Sequence, residues 1–178
     1  MKTQFLALAA TAILTIGLAS CGNDDSTNNN NNNNGGSVNN PVNTMTFTEG
    51  GVTYTNVPCF VTNASGSLRI AGADTTKIPS NRNHVFTFTT NATTTGTFNV
   101  GASASSITYF IYGYEDDGGT SHAWTAAGIP PYGGSGSLNI IEFTAHSIKA
   151  TFSGTLVPSD NTSTSNVTIT NGSVYATY

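Results

Sequence analysis

The chain has 178 residues, 37% hydrophobic and only 8% charged, where an ordinary soluble domain is roughly 25% charged. Five Lys plus Arg against nine Asp plus Glu cannot neutralise many phosphates, which excludes a nucleic-acid partner of the usual kind. Scarce Glu, Lys and Arg exclude a coiled coil, and two cysteines exclude a disulfide scaffold or zinc cluster.

What remains is a Thr-, Gly- and Asn-rich chain with scattered aromatics, a composition that reads as all-β. Its first twenty residues read as a leader. Lys2 supplies a short positive region, and Phe5 to Leu18 is an apolar run broken only by Thr and Gly. At about 14 residues it is too short to span a bilayer as a helix and suits a signal peptide. Leu18-Ala19-Ser20-Cys21 then resembles the lipobox of bacterial lipoproteins. That resemblance implies diacylglycerol on the Cys21 sulfur, cleavage before Cys21 and acylation, palmitate included, of the new N-terminus. Two or more acyl chains anchor stably where one binds marginally. Cys59 is then the sole thiol of the mature chain, so no internal disulfide is available. Beside Phe60 and Val61 it reads as a small buried hydrophobe.

Residues 21–44 carry seven consecutive asparagines, Asn28 to Asn34, then Gly35-Gly36-Ser37. Such low complexity builds no core and reads as a disordered tether spanning about 25 Å root-mean-square. Asp24 and Asp25 resemble the acidic export tag of Bacteroidota-type surface lipoproteins. The tag implies the outer face of the outer membrane; a domain facing the periplasm is the alternative.

Residues 45–178 are read as one domain. No segment carries the 3.6-residue period of an amphipathic helix, whereas period-2 stretches recur between Gly, Asn, Pro and Ser clusters. In chain order they predict strands at Thr46–Thr48, Val52–Thr55, Ser67–Ala71, His84–Thr90, Thr97–Val100, Ser106–Tyr114, Leu138–Thr144, His146–Val157 and Asn166–Tyr178. Glu49-Gly50-Gly51 reads as a hairpin turn. Glu115–Ser121 and Gly128–Ser137 read as long loops. In the strand ending at Val157, Ile148, Ala150, Phe152, Gly154 and Leu156 share one parity, and Ser147, Lys149, Thr151, Ser153 and Thr155 the other: one buried face and one wet face. In the last strand the apolar parity flips at Asn171-Gly172. A tight hairpin or a Gly bulge satisfies the flip, and the bulge is preferred because it keeps one long strand matched to its neighbour. About nine or ten short strands suggest an antiparallel β-sandwich, slightly favoured, or a closed up-and-down β-barrel.

The segment Ile148 to Leu156, a polar loop, and Val167-Thr168-Ile169-Thr170-Asn171-Gly172-Ser173-Val174 to Tyr178 resembles the C-terminal strand pair of a family of Bacteroidota-type surface lipoproteins. In that family a Gly-Thr strand precedes an Ile-Thr-Asn-Gly strand; here Phe152 precedes Gly154 and Leu156 follows Thr155. The likeness covers the last thirty or so residues. It implies a surface or periplasmic β domain of unknown function and carries no catalytic residue.

Chemistry-bearing residues are sparse. His84, His122 and His146 are the only histidines, with no metal-ligand spacing. Glu115-Asp116-Asp117 on a Gly-rich turn are weak calcium candidates, better read as a solvated hairpin tip. Glu49 and Glu142 are the other strand-adjacent acids, with nothing in the sequence to pair them as a glycosidase would need. No nucleophile elbow is present and titratable groups are few, so no catalytic residue, enzyme or cofactor is expected. Asp25-Ser26-Thr27 and Asp74-Thr75-Thr76 resemble a short bacterial O-glycan acceptor. Trp124, Tyr132 and Tyr114 are the candidate ligand-binding aromatics, able to stack on sugar rings, against a reading in which Trp124 plugs the core. The expected partners are the membrane, through the lipid on Cys21, and a glycan or surface protein. The alternative is a structural or adhesin-like component that acts through a strand edge.

Overall fold

A computed structural model describes residues 38–64, 66–76, 82–100, 108–128, 133–160 and 163–178. The leader, Cys21, most of the tether and Tyr132 lie outside them. Ten strands run in chain order: β1 (Thr44–Glu49), β2 (Val52–Ala64), β3 (Ser67–Asp74), β4 (Asn83–Thr90), β5 (Gly96–Asn99), β6 (Tyr109–Glu115), β7 (Ser121–Ala126), β8 (Ser135–Phe143), β9 (Ser147–Pro158) and β10 (Val167–Thr177). All pair antiparallel. Eight of them, in the order β10-β1-β2-β3-β4-β6-β7-β9, close into a barrel through the β9–β10 ladder. Strands β8 and β5 extend from β9 as a wing.

Two long strands form the corners. β2 pairs with β1 through Val52–Pro58 and with β3 through Cys59–Ala64. β9 pairs with β8 up to Thr155, then passes to β7 at Val157 and Pro158. Around these corners the barrel also reads as two facing sheets, so the sandwich and barrel expectations describe the same strands. Bulges supply the bending. Thr170 and Asn171, just before Gly172, interrupt the β9–β10 register, Asn56 interrupts β1–β2, and Ile141 interrupts β8–β9. Asn171 and Asn56 sit at φ of 51° and 54°, left-handed backbone that Asn tolerates better than most residues. The bulge expected at Asn171-Gly172 is present, and β10 is one strand.

The Gly50-Gly51 turn joins β1 and β2 as expected, with both residues at positive φ, the geometry of a two-residue hairpin. Two segments differ from expectation. β2 runs well past Thr55, because Asn56 and Pro58, which read as breakers, serve as a bulge and a corner. β7 falls in a stretch with no predicted strand. Its signal is a short alternation, His122, Trp124 and Ala126 inward against Ala123 and Thr125, concealed by small residues.

The barrel interior is aromatic. Phe86 stacks on Phe152 at 4.6 Å and 7°, with Phe88, Phe110 and Phe47 around them. Glycine makes the room. A Cβ on Gly172 would lie 2.3 Å from the Phe152 ring, and one on Gly136 would lie 2.5 Å from the Phe110 ring. Cys59 is buried against this core, as its neighbours suggested, and burial pushes its thiol up to about 12.

Candidate functional site

The antiparallel order brings the 50–51 and 116–120 turns, the end of β3 with the start of β4, and the end of β9 with the start of β10 to one end of the barrel. Of the seven acids in the described residues, six lie there: Glu49, Asp74, Glu115, Asp116, Asp117 and Asp160. The seventh, Glu142, is toward the opposite end and pairs with Lys149 at 2.9 Å. Glu49 and Glu142 are therefore not brought together.

Much of this acidity serves the turns. Asp116 Oδ1 accepts the Gly118 and Thr120 amides, each at 2.9 Å, and its Oδ2 lies 3.5 Å from His122 Nε2. The Thr120 amide hydrogen bond is the largest cause that holds its carboxyl below the usual range. Asp116 is thus a turn cap. Asp74 accepts the Thr76 amide at 2.9 Å and its hydroxyl at 2.6 Å. No three His, Cys, Asp or Glu among the described residues converge as metal ligands.

Under these turns lies a cluster of aromatic and histidine rings. His84 is 1% exposed; its Nδ1 is 2.6 Å from the Tyr112 hydroxyl, and Tyr54 packs on its ring at 4.3 Å. Desolvation lowers its pKa from 6.5 to about 4, with Asp74 acting against that and Arg82 adding to it. Tyr114 stands between His84, His122 and Trp124, and the Arg82 guanidinium lies over its ring at 4.2 Å.

Trp124 and Tyr114 are neighbours, 5.4 Å between centroids, but they face the barrel interior. Trp124 is 5% exposed and its indole N–H donates to Ser165 O at 2.8 Å. The exposed stacking platform expected of Trp124 is therefore absent, and the core reading holds. The parity of β7, a strand the sequence did not reveal, turns the indole inward.

Ser163, His122 and Asp116 form a line that resembles a hydrolase triad in composition. Ser163 Oγ lies 3.4 Å from His122 Nδ1. The same hydroxyl, however, donates to Asp160 Oδ2 at 3.0 Å, and the Ser163 amide donates to Asp160 Oδ1. Asp160 Oδ2 also accepts the Ala123 amide. A hydroxyl whose proton is held by a carboxylate, beside an amide already spent, is a latch that holds Asp160 and Ser163 to each other and to β7. His146 lies exposed in the turn before β9, remote from the other two histidines.

The barrel wall is different in kind. Where the bulge sets Thr170 and Asn171 against the single residue Ser153, the outer surface sinks into a groove of about 560 Å³. Ser137, Asn139, Thr151, Ser153, Thr170, Asn171 and Ser173 line it, with Phe152 and Gly172 at its floor. None of these side chains is ionisable. Thr97 donates to Asn139 Oδ1 at 3.2 Å at one margin, and Ser173 donates to Asn40 at 2.8 Å at the other. The wet parity of β9 and the bulge were both legible in the sequence; what hid the groove is the unread pairing of β8 with β9 and the depth the bulge gives the outer surface. The chain matches no protein-family model, no curated protein and no solved structure.

Proposed function

We propose that this chain is an outer-membrane lipoprotein, anchored through Cys21, whose β-barrel binds a neutral carbohydrate or a similar polyhydroxylated surface ligand without transforming it. The observation that supports this most directly is the wall groove. Its hydroxyls and amides offer donors and acceptors together, as sugar hydroxyls require, and no charge lies in the lining to demand a counter-ion. Lack of a poised nucleophile at Ser163 favours binding over hydrolysis.

A panel of neutral and acidic oligosaccharides, titrated calorimetrically, tests the reading. Ser153 is exposed and faces the bulge, so Ser153→Trp should fill the groove and lower affinity at least tenfold without unfolding the barrel. A wild-type protein silent across the panel sinks the proposal. Cys21→Ser should move the protein from the membrane to the soluble fraction. Protease added to intact cells should remove the domain if it faces outward, and protection would place it inside.

A second reading rests on β5. It pairs only with β8, so its outer edge is open among the described residues, and the sequence carries no Lys, Arg, Asp or Glu between Arg82 and Glu115. An uncharged edge suits strand addition in an assembly, although four residues make a weak one. Concentration-dependent oligomers abolished by Thr97→Pro would favour it over ligand binding.

A further inference from the structure

We propose that the wall groove reads an N-acyl group: its ligand is a neutral acetamido sugar, seated with the amide carbonyl on Asn139 and the amide N–H on Ser173. The inference rests on the carbohydrate reading above and narrows it. Its ground is that the hydrogen-bond roles of the two margins are already set by the protein.

Asn40 sets the role of Ser173. The Asn40 Nδ2 group donates to two backbone carbonyls, Ser173 O at 3.1 Å and Thr44 O at 3.3 Å. A carbonyl only accepts, so this side-chain amide has one orientation and turns its Oδ1 to the Ser173 hydroxyl. That hydroxyl donates to it at 2.8 Å. With its proton engaged, Ser173 Oγ meets the groove as an acceptor. At the other margin Thr97 Oγ1 donates to Asn139 Oδ1 at 3.2 Å. The Asn139 carbonyl is thereby engaged, and its Nδ2 group meets the groove as a donor.

Asn139 and Ser173 stand in register on either side of Thr151. Two strand spacings put their Cα atoms about 10 Å apart. A trans secondary amide points its carbonyl and its N–H in opposite directions, and with a hydrogen bond at each end it spans about 8 Å. One acetamido group therefore bridges the two margins above Thr151. A pair of neighbouring hydroxyls spans a like distance, but the one that accepts from Asn139 keeps a proton that still needs an acceptor. The amide carbonyl has no proton to place. Ser137, Ser153, Thr170 and Asn171 surround this bridge, and their side chains carry no hydrogen bond among the described residues. They suit the hydroxyls of a sugar ring better than the side chains of a peptide. The nearest charges along β8 and β9 are matched, Lys149 to Glu142 at 2.9 Å with Tyr175 beneath the ammonium at 4.6 Å, so none calls for an ionic ligand.

An NMR titration of the full chain in detergent micelles tests this. N-acetylglucosamine, N-acetylgalactosamine and N-acetylmannosamine are each set against the parent hexose, with N-acetyl-trialanine amide as the peptide. At least one acetamido sugar should bind about tenfold or more tightly than its parent and shift the Asn139 side-chain amide signals. Equal affinity within every pair overturns the inference and leaves the carbohydrate reading standing, whereas silence from every sugar sinks both. The peptide binding as tightly as the sugars also overturns it. Asn139→Asp replaces the donor with an acceptor and should bring the acetamido sugar down to the level of its parent. Thr97→Val, at an exposed position, frees the Asn139 amide to turn and should cut the preference severalfold with the fold intact. A preference unchanged in either folded variant would place its source elsewhere and overturn the inference. If Asn139→Asp does not fold, Thr97→Val and the wild-type pairs decide.

Discussion

The turn end and the groove wall of this barrel use opposite means of meeting water. The turn end concentrates six of the seven acids of the described residues, two histidines and Arg82, all set around buried rings. The wall is faced by Ser, Thr and Asn, with the Lys149–Glu142 pair toward one margin. The difference teaches where a chain poor in charge places it. Carboxylates go where backbone amides need caps, as Asp116 and Asp74 show, and hydroxyls suffice on a pleated face where backbone groups are already paired.

Substitutions can break this contrast in order of severity. Phe152 underlies the groove, and its ring packs on Phe86, Phe88 and Phe110 in the barrel interior. Phe152→Ala should cost about 3–5 kcal/mol in denaturant unfolding and damage the groove as well. Gly172→Ala should cost about 1–3 kcal/mol, since its Cβ would enter the Phe152 ring. It should reshape the groove while the Trp124 emission, set at the other end, hardly shifts. Trp124→Phe keeps the ring contacts but loses the hydrogen bond to Ser165, about 1 kcal/mol, and should raise proteolysis near Ser165 without touching the groove. Thr151→Ala on the wall should stay within about 0.5 kcal/mol of wild type, yet weaken any groove ligand. Unequal results would sharpen the contrast; a Thr151→Ala as damaging as Gly172→Ala would show that the wall carries stability too.

Some of this was legible residue by residue. The β9 alternation, the Gly50-Gly51 turn and the Asn171-Gly172 bulge are local, because each is written in parity or in a residue that tolerates positive φ. β7 was not legible, since Ala123 puts an apolar residue on the outward parity and blurs the alternation around Trp124. For the same reason Trp124 read as a candidate platform when its place is the core. Asn56 and Pro58 misled in the other direction, as breaker residues spent inside a continuous strand.

By itself the sequence determined an all-β chain, its strand parities, its bulge and the scarcity of its charge, because these depend on neighbours a few residues apart. Tertiary structure alone decided that the ring closes, with Thr44 of the first strand beside Tyr175 of the last. It alone gathered acids from four separate strand ends around one buried histidine. Register between distant strands is chosen by how the inward rings pack around glycines such as Gly172 and Gly136, and that fit exists only once all the strands are in place.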